Sequence, residues 1–216
     1  MRVLITAGPT YEPLDPVRFI GNYSTGKMGY ALAEAFAAAG ADVALLSGPT
    51  HLPDPAHPRI STQRVETADQ MYAAAAALAP AADVWVFAAA VADYKPAHRA
   101  ENKLKKTGDT LTLELVRNVD IAATLGETKR PTQFSVGFAL ETTNEVAHAR
   151  EKLRRKNFNL VVLNSLRDAG AGFRHDTNKV TLLSAAGEML TFEVKPKAAV
   201  AQDIVQAVLA RLPREA

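Results

Sequence analysis

The chain has 216 residues, of which 48% are hydrophobic and 22% charged, with a formal net charge of +2. This length suits one α/β domain, and the nearly neutral charge argues against nucleic acid as the main partner, since such binding usually needs a strongly basic face. The chain has no cysteine, which excludes disulfides, thiolate nucleophiles and zinc–sulfur or iron–sulfur sites.

The first predicted element is a buried strand at residues 3–7, which ends in the turn sequence Gly8-Pro9-Thr10. Its apolar run is too short for a signal peptide, and no run reaches the ~18 apolar residues that cross a membrane. We therefore expect a soluble, cytoplasmic protein. A helix is predicted from about Thr25 to Gly40, a residue type that commonly follows a helix end.

The rest of the amino-terminal half also alternates strands with helices. Strands are predicted at residues 43–46, 60–65 and 84–90, and Thr67 is expected to cap a helix that ends near residue 78. Continuous apolar strands between helices indicate a mainly parallel sheet with helices on both faces. The predicted fold class is α/β, a Rossmann-like three-layer sandwich.

A polar and basic segment, residues 94–109, interrupts this alternation and leads into an alternating strand at residues 111–116. We interpret the segment as a flexible lid or a dimerisation arm. The remaining predicted elements are a strand at 134–140, a helix at 145–156, a strand at 160–164, a hairpin of 180–183 with 189–194, and a last helix from about Lys197. Together they make one predicted domain over residues 1–216.

The segment from Gly21 to Gly29 is the strongest candidate for binding phosphate. It places glycines, small hydroxyl residues and Lys27 at a helix start, where free N–H groups favour anions. A capped helix with a flexible entry is the structural alternative. However, a cation in the first helical turn opposes the helix dipole by roughly 0.3–1 kcal/mol, so we expect an anion near Lys27.

Two well-known nucleotide motifs are only partly matched. The spacing of Gly21, Gly26 and Lys27 fits a P-loop, but Met28 stands where the Mg²⁺-binding hydroxyl is needed. A dinucleotide fold needs a glycine-rich first turn and an acidic residue after the second strand, where this chain has Ser47-Gly48. The Rossmann-like alternation of strands and helices still favours an NAD(P)-dependent oxidoreductase as an alternative function. A non-catalytic nucleotide sensor is a third hypothesis.

Other candidates are ambiguous from local sequence. Asn22 is either an amide donor in the site or a turn asparagine, and Asp93, after the strand at 84–90, is either a ligand contact or a cap. Lys152 and Lys156, four apart on one helix, either bind an anion or are surface lysines. The five histidines show no ligand spacing, so we predict no protein-bound metal, although Mg²⁺ held mainly by substrate phosphates remains compatible.

Taken together, the motifs resemble one family, phosphopantothenate–cysteine ligase, the ligase half of the bacterial bifunctional coenzyme A biosynthesis protein. The resemblance covers essentially the whole chain in order. It rests on residues 5–10, 12–18, 22–29, 89–94, 103–106, 118–121 and 136–142. Val119 departs from the family's usual proline, and Ser165 follows Asn164 where aspartate is common. The family's flavin-dependent decarboxylase half is absent from this chain, so we expect a stand-alone ligase or an excised domain, fused to or partnered with that enzyme elsewhere.

The resemblance implies a two-step reaction and a homodimer. The carboxylate of 4′-phosphopantothenate attacks CTP, with Mg²⁺, to give an acyl-cytidylate and pyrophosphate, and L-cysteine then displaces CMP. Asn22 and Lys103 would be catalytic, Asn22 holding the intermediate and Lys103 neutralising charge from the lid. Arg18, Asn22 and Ala90 would contact the substrate. The implied nucleotide-binding positions are Gly8, Ser24, Gly26, Lys27, Ala88, Ala89, Asp93, Lys103, Val119, Asp120, Ile121, Phe138, Lys152 and Lys156.

Overall fold

The computed structural model describes residues 1–106, 108–141, 143–165 and 176–212. The strands are β1 (Arg2–Ala7), β2 (Tyr11–Pro13), β3 (Phe19–Gly21), β4 (Asp42–Ser47), β5 (Ile60–Arg64), β6 (Val84–Phe87), β7 (Tyr94–Pro96), β8 (Leu115–Arg117), β9 (Phe134–Glu141), β10 (Leu160–Ser165), β11 (Thr177–Asn178), β12 (Val180–Ser184), β13 (Met189–Thr191) and β14 (Lys195–Pro196). The α-helices are α1 (Lys27–Ala38), α2 (Ala68–Leu78), α3 (Ile121–Glu127), α4 (Glu145–Arg155) and α5 (Lys197–Leu209).

Eight strands form the central sheet, in the order β13-β12-β10-β9-β6-β1-β4-β5. The six strands from β10 to β5 are parallel to one another, and β12 and β13 add to the β10 edge in antiparallel pairing. By chain position, the parallel strands follow the order of the dinucleotide-binding fold, whose ligand crevice lies where the order reverses. Here that point lies between β1 and β6. The predicted Rossmann-like fold is confirmed.

Alternation along the central strands explains the three layers. Val3 and Ile5 of β1 point into the core under α1 and α5, whereas Leu4 points to the opposite face, with Met71 of α2. Successive side chains of a strand face opposite sides, so an entirely apolar strand must be covered twice. The predicted cap of α2 is also present, because the Thr67 side chain accepts from the Gln70 N–H in a capping box.

The structure differs from the predictions in the connections. The loop after β1 contains a small hairpin of β2 and β3, and α3 was not predicted. The strand expected at 111–116 is only Leu115–Arg117, paired with β7 at the base of the lid segment. Within the described residues, no helix is long and apolar enough to cross a membrane. His175 and Thr142 lie outside the described residues.

Candidate active site at the carboxyl edge of the sheet

A cleft of about 710 Å³ opens at the carboxyl ends of the parallel strands. Its walls are the segment before α1, the loop after β6, the residues that open α3, and one face of α4. Fourteen of the predicted site residues line it: Asn22, Ser24, Gly26, Lys27, Ala88, Ala89, Ala90, Asp93, Val119, Asp120, Ile121, Phe138, Lys152 and Lys156. The sheet topology thus brings together candidates that are up to 134 positions apart in the chain (Lys156 less Asn22).

The backbone at the start of α1 adopts a conformation that favours glycine. Gly26 is the N-cap with φ of 79°, a left-handed conformation that favours glycine, and its N–H donates to Ser24 Oγ at 3.4 Å. Lys27 is the first helical residue, and its Nζ lies 2.6 Å from Asp176 Oδ1. The anion expected near Lys27 is therefore present in the protein as a carboxylate, which the sequence argument did not identify.

Asn22 spans the crevice between β1 and β6. Its Nδ2 donates to the carbonyl oxygens of Ala90 at 3.0 Å and Val91 at 3.3 Å. The Ala90 N–H in turn donates to Gly8 O at 2.8 Å. The asparagine therefore bonds to the loop after β6 rather than to its own turn, and its role toward a ligand stays a prediction.

Asp120 joins the start of α3 to α4. Its Oδ1 accepts from the Ala123 N–H at 3.2 Å and from Lys156 Nζ at 2.7 Å, and Arg155 approaches Oδ2 at 3.6 Å. Burial raises the pKa of Asp120, but the hydrogen bond and charge of Lys156 outweigh it, so the pKa lies below its ordinary value. This carboxylate stays ionised and fixes Lys156 on the cleft wall.

Lys152 of α4 and Lys156, which directly follows α4, are engaged by the protein rather than left as free surface side chains. Lys152 Nζ donates to Phe138 O at 2.9 Å, and the Lys156 side chain is only 14% exposed. Both residues line the cleft. Free surface lysines are therefore disfavoured for this pair, and their binding of an anionic ligand stays a prediction.

Three predicted site residues lie outside the cleft lining. Gly8 lies beneath the α1 loop, where a Cβ on Gly26 would come 3.4 Å from its Cα. Arg18 is bound to Asp15 and to the Leu104 carbonyl, 2.9 Å from its Nη2. Lys103 is exposed on the lid, directly before Leu104. Their roles in binding or catalysis stay predictions.

The structure adds polar residues that the sequence argument missed. Lys197, the first residue of α5, lines the cleft and is only 8% exposed. Burial lowers its pKa, the nearby Lys27 lowers it further, and Asp176 opposes the shift. The dipole argument used for Lys27 applies equally to a lysine that opens α5, and that signal was available in the sequence.

Three asparagines also line the cleft, with carbonyl oxygens that accept no hydrogen bond within the part of the chain that the structure describes. They are Asn118, Asn164 and Asn178. A buried acceptor without a partner costs free energy, so a ligand that supplies a donor would be stabilised there. In the same described ranges, no group of three or more His, Cys, Asp or Glu side chains could by itself hold a metal.

Comparison with known proteins identifies the family of the chain. Residues 1–212 match the family described as the DNA/pantothenate metabolism flavoprotein C-terminal domain. The chain belongs to this family. The crystal structure of the C-terminal domain of the coenzyme A biosynthesis bifunctional protein CoaBC is 42% identical, with a TM-score of 0.82, covering 98% of this chain and 95% of the other. The resemblance drawn from the motifs is thereby confirmed.

Curated relatives are longer. The CoaBC protein of Vibrio cholerae is 47% identical over 87% of this chain and 47% of its own length. A protein named cysteine/cysteine sulfinic acid decarboxylase, from an unknown prokaryotic organism, is 46% identical over 96% of this chain and 58% of its own length. The chain therefore spans about half the length of the curated relatives it matches, and their names describe whole proteins.

Proposed function

We propose that the protein joins 4′-phosphopantothenate to L-cysteine in coenzyme A biosynthesis, with CTP as co-substrate. The products are 4′-phosphopantothenoylcysteine, CMP and pyrophosphate. The observation that carries the proposal is the match of residues 1–212 to one family, whose relatives include CoaBC proteins at 47% identity. The lysine-rich cleft supports it, because 4′-phosphopantothenate and CTP both carry phosphate.

The proposed reaction has two steps. A carboxylate oxygen of 4′-phosphopantothenate attacks the α-phosphorus of CTP, the bond to the β-phosphate oxygen breaks, and pyrophosphate leaves. The cysteine amine then attacks the acyl carbon, loses a proton, and the C–O bond to CMP breaks. Activation is needed because a carboxylate is a poor electrophile, and CMP is a good leaving group.

In this proposal Asn22 holds the acyl-cytidylate at the crevice between β1 and β6. Lys103 neutralises the charge that develops during nucleotidyl transfer, and the Lys27 and Lys197 ammonium groups attract phosphate oxygens at the starts of α1 and α5. Mg²⁺ would be held mainly by the nucleotide's phosphates, with Asp93 as a carboxylate of the cleft. The other predicted nucleotide-binding and substrate-binding residues keep the roles that the family resemblance implies.

An NAD(P)-dependent oxidoreductase is the alternative that the strand order favours. In that class, however, the first strand leads directly into a helix through a glycine-rich turn. Here the β2–β3 hairpin intervenes, and β4 ends at Ser47 with Gly48 after it. These features and the family match favour the ligase.

The deciding experiment measures pyrophosphate release from CTP after 4′-phosphopantothenate is added, without cysteine. We expect release of about one equivalent per site, followed by amide formation when cysteine is supplied. Absence of release together with tight NADPH binding would instead support the oxidoreductase. Competition between CTP and ATP in the same assay determines which base is preferred.

The proposal extends to partners. The CoaBC relatives are bifunctional by name, and we propose that this domain works fused to, or together with, a flavin-dependent phosphopantothenoylcysteine decarboxylase. We also propose a homodimer, with the lid segment and β7–β8 as the candidate contact. Sedimentation equilibrium of the purified chain tests that oligomeric state.

A further inference from the structure

The Asp15 carboxylate lies at the centre of a buried hydrogen-bond cluster outside the cleft. Its side chain is 0% exposed. Oδ1 accepts from the backbone N–H groups of Val17 at 2.9 Å and Arg18 at 2.8 Å, and Oδ2 accepts from Arg18 Nε at 3.0 Å. The cluster therefore fixes both the turn between β2 and β3 and the direction of the Arg18 side chain.

The same cluster binds the lid, 89 positions away in the chain. The Leu104 N–H donates to Asp15 Oδ2 at 3.1 Å, and Arg18 Nη2 donates to Leu104 O at 2.9 Å. A third bond runs from the Ala100 N–H to Leu14 O at 3.0 Å. Both backbone polar groups of one lid residue are thus held by a single carboxylate–guanidinium pair.

The hydrogen bonds of this cluster are strong enough to hold the lid segment in place. Hydrogen bonds to an ionised carboxylate are stronger than neutral ones, and the Arg18 bonds hold the pKa of Asp15 well below its usual range. Every oxygen of the buried carboxylate has donors, so burial leaves no unpaired charge. The bonds to Leu104 add ordered contacts to an otherwise exposed, irregular segment.

The cluster is also connected through short stretches of chain to the two predicted catalytic residues. Arg18 is followed by the three residues of β3 and then by Asn22, and Leu104 directly follows Lys103. We propose that Asp15 and Arg18 form a latch that docks the lid and thereby positions Lys103 relative to Asn22. This inference rests on the proposed function for the role of Lys103, but not for the docking itself.

Docking is tested without any activity by trypsin cleavage after Lys105 and Lys106. Leu104→Pro removes the N–H that donates to Asp15 and leaves the Asp15–Arg18 turn intact, so we expect about tenfold faster lid cleavage with an unchanged melting temperature. Leu104→Ala is the matched control, because it keeps both backbone bonds, and its lid should stay protected. Equal cleavage rates for the proline variant and wild type would overturn the latch.

A double-mutant cycle tests positioning. Asp15→Asn should slow pyrophosphate release about tenfold, and this loss should disappear in a Lys103→Gln background, because the latch acts through Lys103. Asp54→Asn, which removes a carboxylate paired with Arg64 on the surface, should have no effect. Additive losses would refute the positioning role. If wild type releases no pyrophosphate, the proposed function fails while the trypsin result still decides the docking.

Discussion

At the residue scale, the position of Asn22 leads to a prediction about the second half-reaction. Asn22→Ala should still release pyrophosphate but form little amide product, because the side chain is expected to hold the acyl-cytidylate rather than activate the nucleotide. Loss of one such positioned group typically reduces rate by roughly 10²–10³-fold. Rapid-quench assays of each half-reaction measure the effect. Equal losses in both steps would contradict the assignment.

Gly29 shows how packing outweighs local preference. Alanine is a better helix former than glycine by about 1 kcal/mol, yet a Cβ on Gly29 would lie 2.4 Å from Ala7 Cβ. Overpacking costs about 1–3 kcal/mol, so Gly29→Ala should lower the free energy of unfolding. Urea denaturation measures this. Gly108→Ala is the control, because a Cβ there meets nothing within 4 Å, and its stability should match wild type.

Local sequence predicted some residues of the site and missed others for identifiable reasons. The lysine at the start of α1 indicated an anion, and the structure brings Asp176 to it from a distant part of the chain. The position of Lys197 at the start of α5 was a signal available in the sequence, but its place on the cleft depends on α5 packing beside α1, a long-range contact that local sequence does not show.

At the element scale, the lid is expected to act as one unit with its lysine. Lys103→Gln should abolish most pyrophosphate release, because the amide cannot neutralise charge during nucleotidyl transfer, while the melting temperature stays unchanged. Lys105→Gln, on the same exposed segment, is the matched control. Normal release by the Lys103 variant would refute the catalytic role of the lid.

Long, buried strands were easier to predict from the sequence than short elements. Continuous apolar runs predicted β1, β4, β6 and β10, because a strand covered on both faces has little tolerance for polar residues, and β9 was predicted from a mainly apolar run that includes Ser135. The β2–β3 hairpin escaped prediction because its strands have three residues each and one contains Pro13. Helix α3, with seven residues, is too short for its periodicity to stand out.

At the scale of the whole molecule, Lys129 ties the start of β9 to the segment before β10. Its Nζ donates to Ser135 Oγ at 3.0 Å and to Asn159 Oδ1 at 2.7 Å, and burial lowers its pKa from 10.5 to about 8. Between those two values the unfolded chain binds more protons than the folded one. The free energy of unfolding should therefore rise as the pH increases from about 8 to 10.5.

Urea denaturation at pH 7.5 and 9.5 measures this dependence against Lys129→Met, which removes the titrating group while other charges stay the same. The stability of wild type relative to the variant should increase between the two pH values. A difference that stays constant or falls would show that Lys129 keeps an ordinary pKa in the folded protein.

The three asparagine oxygens of the cleft also bear on which molecules the protein rejects. These oxygens are buried without a partner among the described residues of the free protein, so a ligand whose N–H or O–H group reaches Asn118, Asn164 or Asn178 gains a hydrogen bond, whereas a ligand that only matches the charge of the lysines gains none. Relief of one buried unpaired acceptor is worth about 1–3 kcal/mol, which is roughly five- to 150-fold in affinity for the ligand that supplies the donor. Simple polyanions should therefore be poor competitors, and discrimination in this cleft would come from absent donors more than from missing charge.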